Sequence, residues 1–283
     1  MNSGDKDAFN DRFRFGENWS RFLRVLDAER ISQAEQDLKT MLGVADLDGR
    51  SFLDIGSGSG LSSLAARRLG ATVRSFDYDP ESVACTEELK RRYFPDDGAW
   101  VIGSGSALDS GFIAGLGQFD VVYSWGVLHH TGAMWIGIEQ ALSCVSERGY
   151  LFIAIYNDQG WKSRFWWFIK FIYNRLPRTA GRAYAYALGS LFELLNIIKY
   201  TVKLHPMTAI APLLGYKKKR GMSIRHDMVD WIGGFPYEFA GYETLVAYMQ
   251  IRGFDHVKGN RASSLGCHEI VFRRAAGNTG NNH

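Results

Sequence analysis

Cysteine and proline are scarce in this chain, and neither sign of charge dominates. Its 283 residues hold three cysteines and six prolines and sum to a net charge of +3. Cys85, Cys144 and Cys267 make no C-x-x-C pair, which argues against a disulfide framework and against a zinc site. Reduced thiols, a cytoplasmic setting and no metal are therefore expected. No apolar run reaches the ~18 residues of a membrane span before charges break it. The opening Met-Asn-Ser-Gly-Asp is too polar for a secretory leader. Internal repeats and recognised RNA-binding modules are missing, so nucleic acid is not an expected partner.

What the chain does have is apolar bulk, 46% of its residues, enough for one large α/β core and a smaller module. Its most informative stretch is SFLDIGSGSG, residues 51–60. Phe52, Leu53 and Ile55 suit a buried strand. Gly56, Gly58 and Gly60 allow a tight turn in which a ligand can lie against bare backbone. Leu61, Leu64, Ala65 and Leu69 then share one helical face. Strand, glycine turn and helix open a nucleotide-binding α/β unit. A dinucleotide fingerprint would place its third glycine at position 61, where Leu61 stands. Thr72–Asp77 reads as a second strand ending in an acid, and an acid there can accept both hydroxyls of a ribose. Tyr78 can pack on an adenine face, and Asp79-Pro80 opens a helix at about residue 80.

The pattern Asp54-x-Gly56-x-Gly58-x-Gly60 resembles motif I of class I S-adenosylmethionine (SAM) dependent methyltransferases. Trp125-Gly-Val-Leu-His-His130, after a fourth strand at Phe119–Ser124, resembles the segment after strand four in methyltransferases of the ubiquinone and menaquinone biosynthesis type. The resemblance covers about residues 50–156. It implies an α/β fold with a Rossmann-like seven-stranded sheet, SAM as cofactor and a small-molecule acceptor. It assigns to SAM the glycines 56, 58 and 60 with Ser57, the acids Asp54 and Asp77, and Tyr78, Ser106, Ala107 and Trp125. The Asp54 charge suits the SAM ammonium. Related enzymes often carry an acid near position 106 to meet the adenine amino group; here Ser106-Ala107 offers a hydroxyl and a backbone amide.

Charge is unevenly spread. From Gln159 to His226 there are thirteen basic residues and a single acid, Glu193, so the remainder of the chain is net acidic. Trp161, Phe165, Phe168, Ile172 and Leu176 fall on one helical face, and a second helical pattern runs from about Arg182 to Lys203. This segment follows the fifth strand (149–156) and precedes a final helix and two strands. It therefore emerges at the carboxyl end of the sheet, where ligands bind in open α/β folds. The expected organisation is an N-terminal helical lid (1–48), a SAM-binding core (49–157), a basic aromatic helical cap inserted after strand five (158–235), the C-terminal part of the core (236–274) and a disordered tail (275–283). Three uses of the cap stay open: aromatics packed on the core beneath solvated charges, an element touching an anionic membrane through residues 161–220, or a site for an acidic metabolite. A homo-oligomer also stays open.

Methyl transfer from a sulfonium is an in-line displacement. The enzyme positions donor and acceptor, excludes water and, where needed, takes a proton. His129 and His130 follow strand four and titrate in the right range for a base, and only one of two consecutive residues is expected to face the acceptor. Tyr156, Asn157 and Asp158 end strand five; the last two equally suit an Asx turn launching the cap. Phe15, Trp19 and Arg21 are candidate lid contacts. The pair His226-Asp227 and the aromatic loop after Trp231 are candidate substrate contacts. The competing reading is a catalytically silent SAM-binding subunit at a membrane surface, which would not release S-adenosylhomocysteine.

Overall fold

The computed structural model describes residues 19, 22–202 and 232–277. Phe15, Arg21, Trp231, the His226-Asp227 pair, the basic run 217–220 and the tail from 278 onward lie outside the described residues.

Seven strands form one sheet in the order β3-β2-β1-β4-β5-β7-β6. The strands β1 (Ser51–Ile55), β2 (Thr72–Asp77), β3 (Trp100–Ser104), β4 (Phe119–Trp125) and β5 (Val145–Tyr156) run parallel. β7 (Cys267–Arg274) is antiparallel to β5, and β6 (Phe254–Asn260) is antiparallel to β7. The helices beside the sheet are α1 (Ala28–Leu42), α2 (Leu61–Arg68), α3 (Pro80–Tyr93), α4 (Ser110–Leu116) and α5 (Met134–Ser143). Two further helices, α6 (Trp161–Arg175) and α7 (Arg178–Val202), follow β5, and α8 (Tyr242–Ile251) precedes β6. The expected seven-stranded Rossmann-like sheet is present.

Parallel strands covered on both faces need apolar residues at successive positions. Phe52 and Leu53 are both fully buried, one in each of the two core clusters, as are Val121 and Val122. One cluster includes residues of α5 and α8, the other residues of α1, α2 and α3. The chain steps outward from β1 to β2 and β3, then returns to the other side of β1 at β4. The switch point thus falls between β1 and β4, and a ligand crevice is expected at their carboxyl ends.

Local signals explain most element ends. Asp79 caps α3 by accepting the Glu81 N–H at 3.0 Å, with Pro80 in the first turn. Asp109 caps α4 through the Phe112 N–H at 3.0 Å. β5 begins at Val145, four residues before the expected 149, because Val145 already pairs with Phe119 before a register shift. That early pairing is not visible as a hydrophobic run.

The described residues of 164–237 form one compact unit; those of 14–163 and 238–283 form the other. Within the first unit, α6 and α7 meet through the Trp166 and Phe192 rings, whose centroids are 5.1 Å apart. Trp167 stacks on Phe171 at 4.9 Å, and the Phe235 ring lies 6.1 Å from each. Lys170 is 1% exposed, with its ammonium 5.0 Å from the Tyr237 ring centroid, and burial pulls its pKa down to about 7.

Candidate active site

The glycine turn is held to β2 by its own backbone. Gly56 and Ser57 both donate to the Phe76 carbonyl, at 2.9 and 3.0 Å, and Gly60 N–H reaches back to the Ser57 carbonyl at 2.8 Å. The Ser57 side chain turns behind this loop, where its hydroxyl meets the Thr86 hydroxyl of α3 at 2.9 Å. Ser57 therefore reaches the turn by its backbone, while its side chain braces the loop against α3.

Asp77, at the tip of β2, faces the same turn. Its carboxylate accepts the Gly58 N–H and the Asp79 N–H, both at 2.9 Å. Burial raises its pKa above the ordinary carboxylate value, against the lowering effect of these backbone donors. Each oxygen spends one acceptor position on backbone, so the group keeps capacity for a ligand hydroxyl. Tyr78 beside it is 38% exposed. Ser106 and Ala107 follow β3; the Ser106 hydroxyl accepts the Leu108 N–H at 3.2 Å, and Ala107 is buried. Of the candidate lid residues, Trp19 lies against the turn itself: a Cβ built on Gly58 would sit 3.1 Å from its indole.

Asp54 is placed differently from its sequence expectation as an acid presented to a cation. It is 2% exposed and accepts the Ser63 hydroxyl at 2.5 Å. Ser63 in turn meets the Ser75 hydroxyl at 2.6 Å, and Trp100 Nε1 donates to Ser75 at 2.9 Å. This chain ties β1, α2, β2 and β3 together beneath the turn. Burial is the largest influence on Asp54 and raises its pKa to about 7. A carboxyl whose folded pKa exceeds its unfolded value stabilises the fold while protonated, and that contribution is lost as pH rises from about 4 through about 7. Asp54→Asn should therefore unfold at a higher temperature than the parent at pH 8, by a few degrees, and lose that advantage at pH 5. A melting-temperature difference independent of pH would remove Asp54 as a buried titrating group.

The segment after β4 brings the other candidates together. Leu128–His130 forms a short 3-10 turn. His129 is 1% exposed and His130 is partly exposed. The Tyr156 ring, at the end of β5, lies 4.0 Å from the His129 ring and 5.4 Å from that of His130. Of the two adjacent imidazoles, one is thus buried and the other more open. Asp158 accepts the Gly160 N–H at 2.7 Å, which is the Asx turn foreseen before α6. Asn157 instead donates to the Ala262 carbonyl at 3.1 Å, tying the end of β5 to the β6–β7 loop.

Trp125 ends β4 at 47% exposure and donates through Nε1 to the Glu269 carboxylate of β7 at 3.0 Å. Asn260 donates to the other Glu269 oxygen at 3.0 Å. Ala154 lies between Trp125 and Glu269 in the sheet, so the row crosses four strands. Nothing in the local pattern pointed to Glu269. The same is true of Glu238, whose carboxylate accepts the Met134 N–H at 3.0 and 3.1 Å and caps α5 from 104 residues away. The residue at that cap position, Ala133, supplies no side-chain bond of its own. Glu238 N–H also donates to the His129 carbonyl at 2.9 Å, so one residue fixes both ends of the 129–134 segment.

A family model described as a methyltransferase domain matches residues 26–192. The ribosomal protein L11 methyltransferase of Methylococcus capsulatus is 42% identical over 69 residues, a stretch that spans 24% of this chain and 24% of that relative's length. Magnesium protoporphyrin IX methyltransferase from Synechocystis PCC 6803, crystallised with bound S-adenosylhomocysteine, has a similar fold: TM-score 0.53 and 13% identity, covering 92% of this chain and 95% of that one. A structure of that enzyme with bound SAM gives 0.50 and 11%, covering 87% and 79%. At these identities the likeness is one of fold.

Proposed function

The chain belongs to the methyltransferase domain family, and on that footing we propose that it transfers the methyl group of SAM to oxygen or carbon of a small acceptor that is apolar or partly anionic, of a lipid-like or natural-product kind. The observation that carries this reading is the convergence of two groups at the carboxyl ends of neighbouring strands. The glycine turn and Asp77 lie at β1 and β2, joined by the Gly58–Asp77 hydrogen bond at 2.9 Å. The His129, His130 and Tyr156 rings lie at β4 and β5, within 5.4 Å of one another.

In this reading Gly56, Gly58 and Gly60 admit the methionine part of SAM against backbone, Asp77 takes the ribose hydroxyls and Tyr78 covers the adenine. Ser106 and Ala107 flank the adenine, and Trp125 lines the donor side of β4. SAM supplies an electrophilic methyl group when bound. The residues hold donor and acceptor in line and exclude water. His130, the more accessible imidazole, is the proposed base for the acceptor proton, and Tyr156 orients the acceptor beside it. His129, buried beneath them, is the second candidate.

Incubation of the protein with a metabolite extract and deuteromethyl-labelled SAM should yield one or more labelled products together with S-adenosylhomocysteine, read by mass spectrometry. SAM that binds but is never consumed by any acceptor would favour a silent binding subunit. With an acceptor in hand, His130→Ala should reduce kcat by about 10²–10⁴-fold with little change in SAM affinity. A parent-like kcat would take proton transfer away from His130.

A further inference from the structure

The helices α6 and α7 each carry an apolar stripe that nothing among the described residues covers. In α6 the positions 163, 166, 169 and 170 are buried, and the opposite side carries Trp161, Phe165 and Phe168, which are 71%, 47% and 55% exposed. Arg164 and Arg175 are exposed on that same side by helical spacing. In α7 the buried side holds Ala185 and Gly189, while Leu191, Leu194, Leu195 and Ile198 are about half exposed at i, i+3, i+4 and i+7. A helix apolar on both sides is normally enclosed, and contiguous exposed apolar surface marks an interaction site.

We propose that these outward stripes dock on an anionic membrane surface, with the aromatic and leucine side chains in the headgroup boundary and the arginines against lipid phosphates. Charge decides between this occupant and a second copy of the chain. The helix α6 has no acid and exposes Lys162, Arg164 and Arg175, so two copies placed face to face on it would repel, whereas an anionic bilayer attracts each of them. The side-chain types agree, because interfacial helices set Trp, Phe and Leu beneath a Lys- and Arg-rich margin. Among the described residues no helix is long and apolar enough to cross a membrane, so the contact lies along the surface.

The full chain should sediment with vesicles containing about 30% anionic phospholipid at low salt, and much less with purely zwitterionic vesicles or at high salt. Arg164→Gln with Arg175→Gln should weaken vesicle binding roughly 25-fold, at about fivefold per charge. Phe168→Ser with Leu194→Ser should weaken it at least tenfold through lost apolar burial. Both double variants should keep parent-like SAM affinity in calorimetry, which also reports that they fold. No sedimentation, or equal sedimentation with neutral and anionic vesicles, would overturn the proposal. So would a dimer in light scattering that the Phe168→Ser, Leu194→Ser variant dissociates, since a second copy would then cover the stripe.

Discussion

Asp77→Ala should weaken SAM binding by more than tenfold and leave the sheet folded. A charged acceptor of two ribose hydroxyls contributes about 1.5–3 kcal/mol for each hydrogen bond lost. The measured effect should fall short of the full sum, because the backbone contacts proposed for SAM at the glycine turn would remain. The same carboxylate holds the Gly58 N–H and the Asp79 N–H, so its removal also loosens the turn. Asp77→Asn separates the two effects. The amide retains one acceptor oxygen for backbone or ribose and lacks the charge, so its affinity should lie between those of the parent and the alanine variant. Circular dichroism should be parent-like in both, since burial already penalises the Asp77 charge. Unchanged SAM affinity for Asp77→Ala, measured by calorimetry, would remove Asp77 from the ribose site.

Gly60→Ala should cost about 2–4 kcal/mol of folding stability. Gly60 initiates α2 at φ +80°, and a Cβ there would sit 2.8 Å from the Thr86 Cα and 3.0 Å from its side chain. The dihedral accounts for roughly 1–2 kcal/mol; the rest comes from pressing α2 and α3 apart, because the atom in the way belongs to backbone. Gly43 provides the internal comparison. It ends α1 at φ +67° and a Cβ would meet nothing within 4 Å. Gly43→Ala should therefore cost only the dihedral part. Equal losses for the two variants in urea titrations would show that the Thr86 contact contributes nothing.

The first half of the sheet was legible because each unit announces itself locally. An apolar pair such as Phe52-Leu53, a glycine turn and a capped helix such as Asp79-Pro80 all act within a few residues, and β1, β2 and β4 appeared where expected. Asp54, Asp77 and the two histidines were legible as candidates for the same reason, since motif spacing places them at strand ends. Burial was not legible. The spacing 161, 165 and 168 showed that Trp161, Phe165 and Phe168 share a face, yet periodicity alone does not say which face is covered, and here it is the exposed one. Residues that act across long separations were missed entirely. Glu238 caps α5 across 104 residues, and Glu269 receives Trp125 across 144; neither sits in a pattern that a local reading could detect. Asp54 shows the converse, a residue found by motif whose side chain bonds Ser63 and, through it, joins a chain to Ser75 and Trp100.

The segment that leaves β5 and the segment that returns before α8 are stitched together at their bases. Asp158 N–H donates to the Ala240 carbonyl at 3.2 Å, and Ala240 N–H donates to the Tyr156 carbonyl at 3.0 Å. These two bonds close the base of the insertion between residues 158 and 240. Its length and composition can drift, or be exchanged wholesale, with no strand changing its neighbours. The sheet and the segment inserted into it are in this way free to evolve on separate clocks.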